Sequence, residues 1–545
     1  MSRPFLTAGV VLKKSTLFIL IAILLIPTFA QEQDRRAFDG KSWWEHVKVL
    51  AADNMEGRDT GSSGLKKAEA YVVDQLKRAG LQAAGTKGFY QPVKFESREL
   101  VEKDSSAALV RDGRSEPLSL GEDVTFSTRV DLAPQVEAPL VFVGYGLSVP
   151  ENNFDDLAGL DLKGKIAVLI SGSPEEIPAP LASHYQTAAE RWKAFSKAGV
   201  VGIITIPNLA AMDVPWSRIA LNRLHPSMDL ADVEFQETEG EKLALYFNPA
   251  HADKLFDGSG HTFQELTELA KNRKPLPRFA LTASIKARTK LEKKAVESAN
   301  LAAKLPGNDP RLRNEYVVLS AHIDHVGIGE PINGDRIYNG AMDNASGVAV
   351  LVDVAAFLKT HPENLKRSLL FLFVTGEEKG LLGSKYFAAH PTVDPKSMVA
   401  DINIDMFLPI VPLKMLTILG LAESDLGDVA KQVAEGEGVS VQADPQPLRN
   451  VFIRSDQYSF IRRGIPALAM DVAPTTPEQK QIYRDWLTRR YHAPSDDLAQ
   501  PVDLASAGKY EDIIRGLMVR VANDPRPPKW KSESFFRRYS ETSND

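Results

Sequence analysis

The stretch from Tyr316 to Glu378 decides the fold, and it reads YVVLSAHIDHVGIGEPINGDRIYNGAMDNASGVAVLVDVAAFLKTHPENLKRSLLFLFVTGEE. Two short apolar runs within it, 316–320 and 369–374, each end in a group of histidine and carboxylate residues. Apolar runs of this length between polar clusters are typical of buried strands. In α/β sheets the carboxyl ends of such strands meet at one edge, where ligands bind. The stretch therefore predicts a metal site at the edge of an α/β sheet.

The residues that follow these runs have side chains that bind divalent metals. Imidazole and carboxylate groups are the ligands of catalytic zinc sites, and there are more of them here than one metal needs. Two ions that share a bridging carboxylate fit the number of candidate ligands better than one ion does. Such a pair can lower the pKa of a water and polarise a carbonyl, which suits amide hydrolysis. The candidates are His322, Asp324, Asp343, Glu377, Glu378, Asp405 and His492.

The adjacent residues Glu377 and Glu378 predict two different roles. Neighbouring side chains at a strand end point in different directions, so one carboxylate can bind a metal while the other faces the attacking water. The alternative is that both only form the acidic N-terminus of a following helix, where negative charge is favourable. That alternative leaves the remaining candidates unexplained.

Length and charge limit the class of protein. The 545 residues are too many for one ordinary domain, so two or three soluble domains are expected. The formal net charge is −6, and an acidic protein is a poor candidate for binding nucleic acid. The sequence contains no cysteine, so disulfides cannot hold the domains together.

The first thirty residues have the pattern of a secretory signal peptide. A basic segment precedes an apolar core from Leu17 to Ile26, and a polar segment follows Ala30. Cleavage after Ala30 removes three positive charges and takes the net charge from −6 to −9. The apolar core is shorter than the roughly 20 residues that span a bilayer, which disfavours the alternative of an uncleaved anchor. We expect a bacterial signal peptide on an exported protein, periplasmic or extracellular, with no membrane span after cleavage.

The rest of the chain divides into regions that differ in composition and in predicted secondary structure. Two helices with a glycine-rich loop between them are predicted at the start, the first capped by Ser42. A middle region has strand candidates around a helix at 185–197, which predicts a compact domain with its own core. Its histidines lack carboxylate partners at ligand spacing, so we interpret them as structural. The predicted parts are the signal peptide 1–30, the main domain 42–100 and 296–523, the inserted domain 101–295, and a C-terminal tail 524–545.

Strands and helices alternate in the second part of the main domain. This alternation predicts an α/β fold with a mainly parallel sheet covered by helices on both faces. The polar tail after it is expected to lie on the surface. The strand candidates are 300–305, 316–320, 369–374, 398–404 and 466–472, and the helix candidates are 424–435 and 504–521.

Five motifs resemble the metal motifs of the co-catalytic dizinc aminopeptidases, a family that includes bacterial leucyl-type aminopeptidases and glutamate carboxypeptidases. The resemblance extends over residues 42–522, although Gln457 stands where the family pattern leads us to expect histidine. It implies a phosphorylase/hydrolase-like zinc peptidase fold and two Zn²⁺ ions. The motifs are HID at 322–324, GAMDNASG at 340–347, TGEEKGLLGSKYF at 375–387, NIDM at 403–406 and YHAPSDD at 491–497.

The resemblance also implies a role for each candidate. Glu377 would be the general base that takes a proton from the attacking water and passes it to the leaving amine. Asp324 would accept a hydrogen bond from the far ring nitrogen of His322 and so fix its tautomer. His325 would be a loop residue near the site that binds no metal. His322 and Asp405 would bind one zinc ion, Glu378 and His492 the other, and Asp343 would bridge them and precede a cis peptide bond to Asn344.

The inserted domain resembles a protease-associated (PA) domain, above all at 141–170, VFVGYGLSVPENNFDDLAGLDLKGKIAVLI. In relatives that domain lies beside the active-site cleft, where it can limit substrate size or bind partners.

These features predict an exported dizinc aminopeptidase that acts on peptides. Alternatives on the same fold are a carboxypeptidase, a glutaminyl cyclase with a single zinc, and a receptor-like binding module without metals. The complete ligand set argues against the last two. The preferred side chain and the oligomeric state have no signal in the sequence. A carboxypeptidase needs arginines in its pocket, and the candidates are Arg336, Arg449, Arg454, Arg462 and Arg463.

Overall fold

The computed structural model describes residues 38–208, 215–449 and 451–542, together with the isolated positions 1 and 9. Apart from those two positions, the predicted signal peptide at 1–30 lies outside the described residues. Within the described ranges one helical segment, Ala341–Thr360, is long and apolar enough to cross a membrane. Because 89% of its apolar window is buried inside the protein, this segment is a core helix.

The elements of the described chain are as follows. The strands are β1 Gln82–Ala83, β2 Tyr90–Leu100, β3 Ser106–Arg111, β4 Arg114–Leu118, β5 Val124–Phe126, β6 Gln135–Phe142, β7 Ser148–Val149, β8 Phe154–Asp155, β9 Ile166–Ile170, β10 Gly202–Ile206, β11 Ser227–Leu230, β12 Ala244–Phe247, β13 Phe279–Arg288, β14 Leu291–Leu305, β15 Tyr316–His322, β16 Gly327–Ile332, β17 Asp335–Tyr338, β18 Ser368–Val374, β19 Met398–Asn403, β20 Met415–Leu419, β21 Ser440–Ala443 and β22 Ala467–Val472. The helices are α1 Lys41–Leu50, α2 Ser63–Ala79, α3 Ala179–Gln186, α4 Ala188–Lys197, α5 Trp216–Leu221, α6 Asp253–Phe256, α7 Phe263–Lys271, α8 Ser346–Thr360, α9 Leu382–Ala389, α10 Asp425–Gly436, α11 Gln457–Ile461, α12 Pro477–Arg489, α13 Leu504–Asn523 and α14 Arg538–Thr542.

A ten-stranded sheet forms the main domain. Its order is β11-β2-β14-β18-β15-β19-β22-β20-β21, and β1 pairs with β14 at one side. The four central strands β18, β15, β19 and β22 are parallel, whereas the pairs outside them on the β14 side are antiparallel. The α/β prediction is confirmed, but the sheet is mixed rather than mainly parallel. The parallel centre is the part that the sequence pattern at 316–378 describes.

Helices cover both faces of this sheet, as predicted. Alternate residues of β18 face opposite sides because successive strand side chains point in opposite directions. Leu369, Phe371 and Phe373 pack into a core with α1, α2, α8, α10 and α13. Leu370 and Leu372 pack on the other face with residues of α9 and α11. The central strands are therefore buried on both sides, which explains their continuous apolar runs.

An eight-stranded sheet forms a second unit with its own hydrophobic core. Its order is β4-β3-β13-β6-β9-β10-β12-β5, so it uses strands between residues 106 and 288. One segment of the predicted insert lies elsewhere, since β11 pairs with β2 in the large sheet. The charged stretch 291–298, which the sequence led us to expect to be a connection back to the main domain, is part of the long strand β14, and each of its residues is in register with β2.

Three local predictions need correction. The first helix begins at Lys41 after Gly40, and the Ser42 hydroxyl, instead of capping it, donates to Asp353 Oδ1 at 2.7 Å. The helix predicted at 185–197 is two helices, since Thr187 ends α3 and its hydroxyl caps α4. The loop predicted at 54–64 begins inside a 3₁₀ helix, Asp53–Arg58. In the first two cases a side chain has a tertiary or capping partner that periodicity alone does not reveal.

The C-terminal tail lies against the protein surface and connects its two units. Phe536 is buried, and Trp530 donates to the carbonyl oxygen of Gly464 at 2.8 Å. Arg538 pairs with Glu151 of the insert at 2.7 Å. The tail therefore contacts both the main domain and the insert.

Candidate metal centre

The predicted site residues come from separate elements that end at one edge of the large sheet. His322 is the last residue of β15, and Glu377 and Glu378 lie just beyond the end of β18. Asp405 follows β19 by two residues, and Asp343 lies three residues before α8. The strands are parallel neighbours, so their carboxyl ends bring these side chains together. His492 joins them from the turn after α12.

One group of possible ligands surrounds His322. Its Nε2 lies 3.0 Å from Asp405 Oδ1 and 3.3 Å from Asp343 Oδ1. The three side chains have ligand atoms within 4.8 Å of one another, which is close enough to hold one ion. Burial opposes charge on the imidazole, but Asp405 and the other carboxylates around it raise the pKa of His322 well above its usual value.

A second group surrounds Glu378. His492 Nε2 lies 3.2 Å from Glu378 Oε2 and 3.2 Å from Asp343 Oδ2. Burial opposes the charged form, but His492 and His325 hold the pKa of Glu378 well below its usual value. Asp343 therefore faces His322 with one carboxylate oxygen and His492 with the other, which is the arrangement of a bridging ligand.

Buried groups hold Asp343 in place from behind. The peptide bond from Asp343 to Asn344 is cis, as the resemblance implied. The backbone N–H groups of Met342 and Asp343 both donate to the carboxylate of Asp496, which is fully buried. Asp496 belongs to the last of the five motifs, and it was not among the predicted site residues. Its neighbour Asp497 is partly exposed. The two aspartates have the same chemistry in the sequence, and only their burial in the fold distinguishes them.

Arg58 also supports the site, although its loop carried no chemical signal in the sequence. Its guanidinium is buried and donates to four carbonyl oxygens, at 2.6 to 3.0 Å. Burial lowers its pKa to about 10. Two of the acceptors are Ile323, which directly follows His322, and Gly340, which lies three residues before Asp343. Arg58 therefore ties together the two segments that carry these ligands.

The role predicted for Asp324 needs correction. The far ring nitrogen of His322, Nδ1, lies 3.1 Å from the backbone oxygen of Asp324 and not from its carboxylate. The carboxylate accepts instead from the backbone N–H of Glu377 at 3.2 Å and from the Thr60 hydroxyl at 3.0 Å. Asp324 thus fixes the histidine through its main chain and the Glu377 turn through its side chain.

Glu377 lies at the bottom of the cleft without a close basic partner among the described residues. Burial raises the pKa of its carboxyl well above the usual value, against the opposing effect of His322, and the nearby carboxylates Asp405 and Glu378 add to the rise. A raised pKa suits a group that both accepts and donates a proton near neutral pH.

His325 is closer to the metal group than predicted. It is fully buried, and its Nδ1 lies 2.7 Å from Glu378 Oε1 and 4.0 Å from Asp343 Oδ2. With Asp343 and Glu378 it forms a second set of atoms at ligand spacing. His492 is nearly equidistant from both carboxylates, so it is better placed to share an ion with them. The contact of His325 with Glu378 assigns it to holding that carboxylate. The only feature of the sequence that indicated a role for His325 was its position three residues after His322.

Gln457, which replaces an expected histidine, lies below the site. It is fully buried, accepts from Asn403 Nδ2 at 2.8 Å and donates to the Phe452 carbonyl at 2.8 Å. The glutamine therefore supports the end of β19, two residues before Asp405.

A cleft of about 750 Å³ opens above these residues. Glu377, Glu378 and His492 lie on its main-domain side, and Arg129 and 187–189 of the insert lie on the other. Three of the arginines that a carboxypeptidase could use line it, namely Arg454, Arg462 and Arg463. The other two do not: Arg336 donates to the Gly329 carbonyl, and Arg449 donates to Gln446.

Comparison with known proteins identifies the region that carries the site. Residues 300–518 match the family model of Peptidase family M28. The chain is 31% identical over 173 residues to "probable leucine aminopeptidase 2" of Aspergillus oryzae, a match over 31% of this chain and 32% of that protein. It is 24% identical over 237 residues to "Leupeptin-inactivating enzyme 1" of Streptomyces exfoliatus, over 42% of this chain and 50% of that protein. The matches thus span a third to a half of these relatives.

The fold extends further than the sequence matches. The solved structure titled "Aminopeptidase from Aneurinibacillus sp. strain AM-1" superposes with a TM-score of 0.55 over 91% of this chain and 97% of that chain, at 21% identity. This likeness shows that the two chains share a fold.

Proposed function

We propose that this chain, whose residues 300–518 belong to peptidase family M28, is a zinc-dependent exopeptidase and in particular an aminopeptidase. The observation that carries the proposal is Asp343, which directs one oxygen to His322 and the other to His492. Two groups of ligands that share one carboxylate are what a pair of metal ions needs.

The residues fit zinc by their chemistry. Each group combines an imidazole with carboxylates, which are nitrogen and oxygen ligands that zinc accepts. Four carboxylates converge here, on Asp343, Glu377, Glu378 and Asp405, and such a group of like charges needs cations beside it. His322, Asp405 and Asp343 would hold one ion, and His492, Glu378 and Asp343 the other. When bound, the two ions supply Lewis acidity for a water and for the scissile carbonyl.

The protein's own groups then transfer the proton and hold the general base in position. Glu377 accepts a proton from the attacking water and donates it to the nitrogen of the leaving amine. The Asp324 carboxylate holds the backbone N–H of Glu377, so the base keeps its position relative to the ligands.

The alternatives differ in what they require. A glutaminyl cyclase with a single zinc has no use for the second ligand group, and a receptor without metals has no use for Glu377. A carboxypeptidase needs a cation for the substrate carboxylate, and Arg454, Arg462 and Arg463 line the cleft, so it remains the second candidate. The names of the relatives that match part of this chain support the aminopeptidase.

Export and the role of the insert are part of the same proposal. The sequence of residues 1–30 supports secretion to the periplasm or the medium. The insert, which resembles a PA domain, contributes Arg129 and 187–189 to the cleft, and we assign to it the limit on substrate size.

The decisive experiment measures metal and activity together. Removal of zinc with a chelator should abolish hydrolysis of aminoacyl chromogenic substrates, and zinc should restore it, with two ions bound per chain by metal analysis. Peptides with blocked N-termini should resist hydrolysis. Activity that survives chelation would contradict the zinc mechanism, and cleavage of N-blocked peptides from the carboxyl end would favour the carboxypeptidase.

A further inference from the structure

The cleft carries an excess of positive charge outside the metal ligands. Glu234 and Glu237 are the carboxylates of its described lining other than Glu377 and Glu378. A cleft of one sign raises the local concentration of substrates with the opposite charge. The basic residues of the lining, apart from histidine, are Arg129, Lys385, Arg454, Arg462 and Arg463.

The two carboxylates are already engaged at one end of the cleft. Glu237 pairs with both Lys385, at 3.1 Å, and Arg462, at 2.7 Å. Glu234 contacts the His390 imidazole. The carboxylates of the described lining other than Glu377 and Glu378 therefore already have basic partners.

Arg129 contacts the turn of Glu377 and Glu378 from the side of the insert. It lies on the insert between β5 and β6, it is exposed, and its Nη2 lies 3.4 Å from the backbone oxygen of Glu378. Within the described part of the chain it has no carboxylate within 4.0 Å. A guanidinium has five N–H donors, and this long contact uses one of them.

The turn that faces Arg129 has room for this guanidinium. Gly380 lies two residues after Glu378, and a Cβ added there would be 3.4 Å from Arg129 Nη1. The φ of Gly380 is +118°, a conformation that residues with side chains rarely adopt. The guanidinium therefore lies at van der Waals distance from the turn that carries Glu377 and Glu378.

We propose that Arg129 forms an anion subsite at the edge of the insert that binds a carboxylate of the peptide substrate next to the scissile bond. The planar fork of an arginine matches a carboxylate with two parallel hydrogen bonds. The inference rests on the proposed peptidase function and adds the substrate class: short peptides with a carboxylate close to the cleaved bond. That carboxylate is either the terminal one of a dipeptide or an acidic side chain.

The test compares three substrates that differ in one group: Leu-Ala, Leu-Ala-NH₂ and Leu-Glu-NH₂. For the zinc-loaded protein we expect kcat/KM for at least one carboxylate-bearing peptide to exceed that of Leu-Ala-NH₂ by about tenfold or more, since hydrogen bonds to charged groups are the stronger ones. Preference for Leu-Ala alone identifies the terminal carboxylate, and preference for Leu-Glu-NH₂ identifies the acidic side chain. Equal rates for all three peptides would overturn the subsite.

The variants locate the effect on Arg129. Arg129→Gln should reduce the ratio of carboxylate to amide kcat/KM to near one, mainly through KM, and Arg129→Lys should keep part of it. Arg114→Gln removes the same charge from the edge strand β4 of the same sheet, outside the cleft lining, and should keep the full ratio. Zinc content should equal that of the wild type in all three variants. An unchanged ratio in Arg129→Gln would refute the assignment.

A binding measurement separates this inference from the proposed function. In zinc-loaded Glu377→Gln protein, calorimetry should show tighter binding of Leu-Ala or Leu-Glu-NH₂ than of Leu-Ala-NH₂, and Arg129→Gln should abolish the difference. If the wild type hydrolyses none of the peptides but this difference is present, the peptidase proposal fails and the anion subsite stands. If hydrolysis occurs without the difference, the subsite alone fails.

Discussion

The two ligand groups of the metal centre, one around His322 and the other around His492, are the two halves of the site, and they are built in different ways. His322 is the last residue of a central strand, its side chain is 1% exposed, and its ring is held by the Asp324 carbonyl. His492 lies in a turn with a φ of +51°, its side chain is 31% exposed, and it borders the cleft. The first half is fixed by the sheet, whereas the second depends on a loop.

That loop is held by the insert. Arg218 of α5 donates to the carbonyl oxygens of Tyr491 at 2.6 Å and of Thr488 at 3.1 Å. The residue that positions His492 therefore comes from a segment more than 250 residues earlier in the chain. The insert therefore does more than border the cleft, because it supports one of the two ligand groups.

The largest effect on catalysis is expected from a substitution of the general base, Glu377. Glu377→Gln should lower kcat by about 10²–10⁴, because an amide cannot accept the proton. Both ions should remain bound, as judged by metal analysis, because Glu377 belongs to neither ligand group. Loss of an ion in this variant would mean that Glu377 is a ligand and that its role and that of Glu378 must be exchanged.

A large effect is expected from removing each histidine in turn. His492→Ala should retain one zinc ion per chain and lose the other to a mild chelator, because the half around His322 is buried and fixed by the sheet. His322→Ala should retain less zinc than His492→Ala, because it leaves the carboxylates of Asp405 and Asp343 close together without the imidazole between them. Zinc content measured against chelator concentration checks the order. Equal retention in the two variants would remove the distinction between the halves.

A smaller effect is expected from the support of the His492 turn. Arg218→Ala should weaken the affinity for the more weakly held ion by about tenfold, as loss of a supporting hydrogen bond usually does. Arg278→Ala is the matched control, because Arg278 also donates to two carbonyl oxygens of the insert but lies away from the site. If both variants bind zinc like the wild type, the insert does not support this ligand group.

The smallest effect is expected from the pH response of the insert. Burial raises the pKa of Asp156 to about 7, against two backbone N–H groups that donate to it. Because the folded-state pKa is raised, the proton stabilises the insert at low pH, and this stability is lost as pH rises towards 7. Hydrogen exchange of β9 and β10 should therefore be faster at pH 8.5 than at pH 5.5, beyond the intrinsic change. Asp156→Asn should remove the difference, and a difference of the same size in that variant would contradict the assignment.

The parts of the fold that local pattern controls were predictable. The strands at 316–320 and 369–374 and the helices α2, α10 and α13 follow from apolar periodicity and from glycine at the end of α2. The antiparallel outer strands were not predictable, because the direction of a strand depends on how the chain returns to the sheet. The charged stretch 291–298 had no strand signal, yet it pairs with β2 along an exposed part of the sheet.

The candidate site divides in the same way. The predicted ligands are brought together, because the carboxyl ends of parallel neighbours always meet at one edge. Arg58, His325 and Asp496 were missed because their role depends on burial and on partners far away in sequence. The same reason explains the error over Asp324, whose carboxylate and main chain have different partners.

The sequence by itself determined the chemistry of this protein: imidazole and carboxylate groups at the ends of buried strands, in numbers that suit two metal ions. Motif spacing and apolar periodicity are local properties, and they define the ligand set and the central sheet. Tertiary structure decided how that set is supported and what can reach it. Arg58, Arg129 and Arg218 act on the site across large sequence separations, and such contacts are formed only when the insert and the sheet pack together.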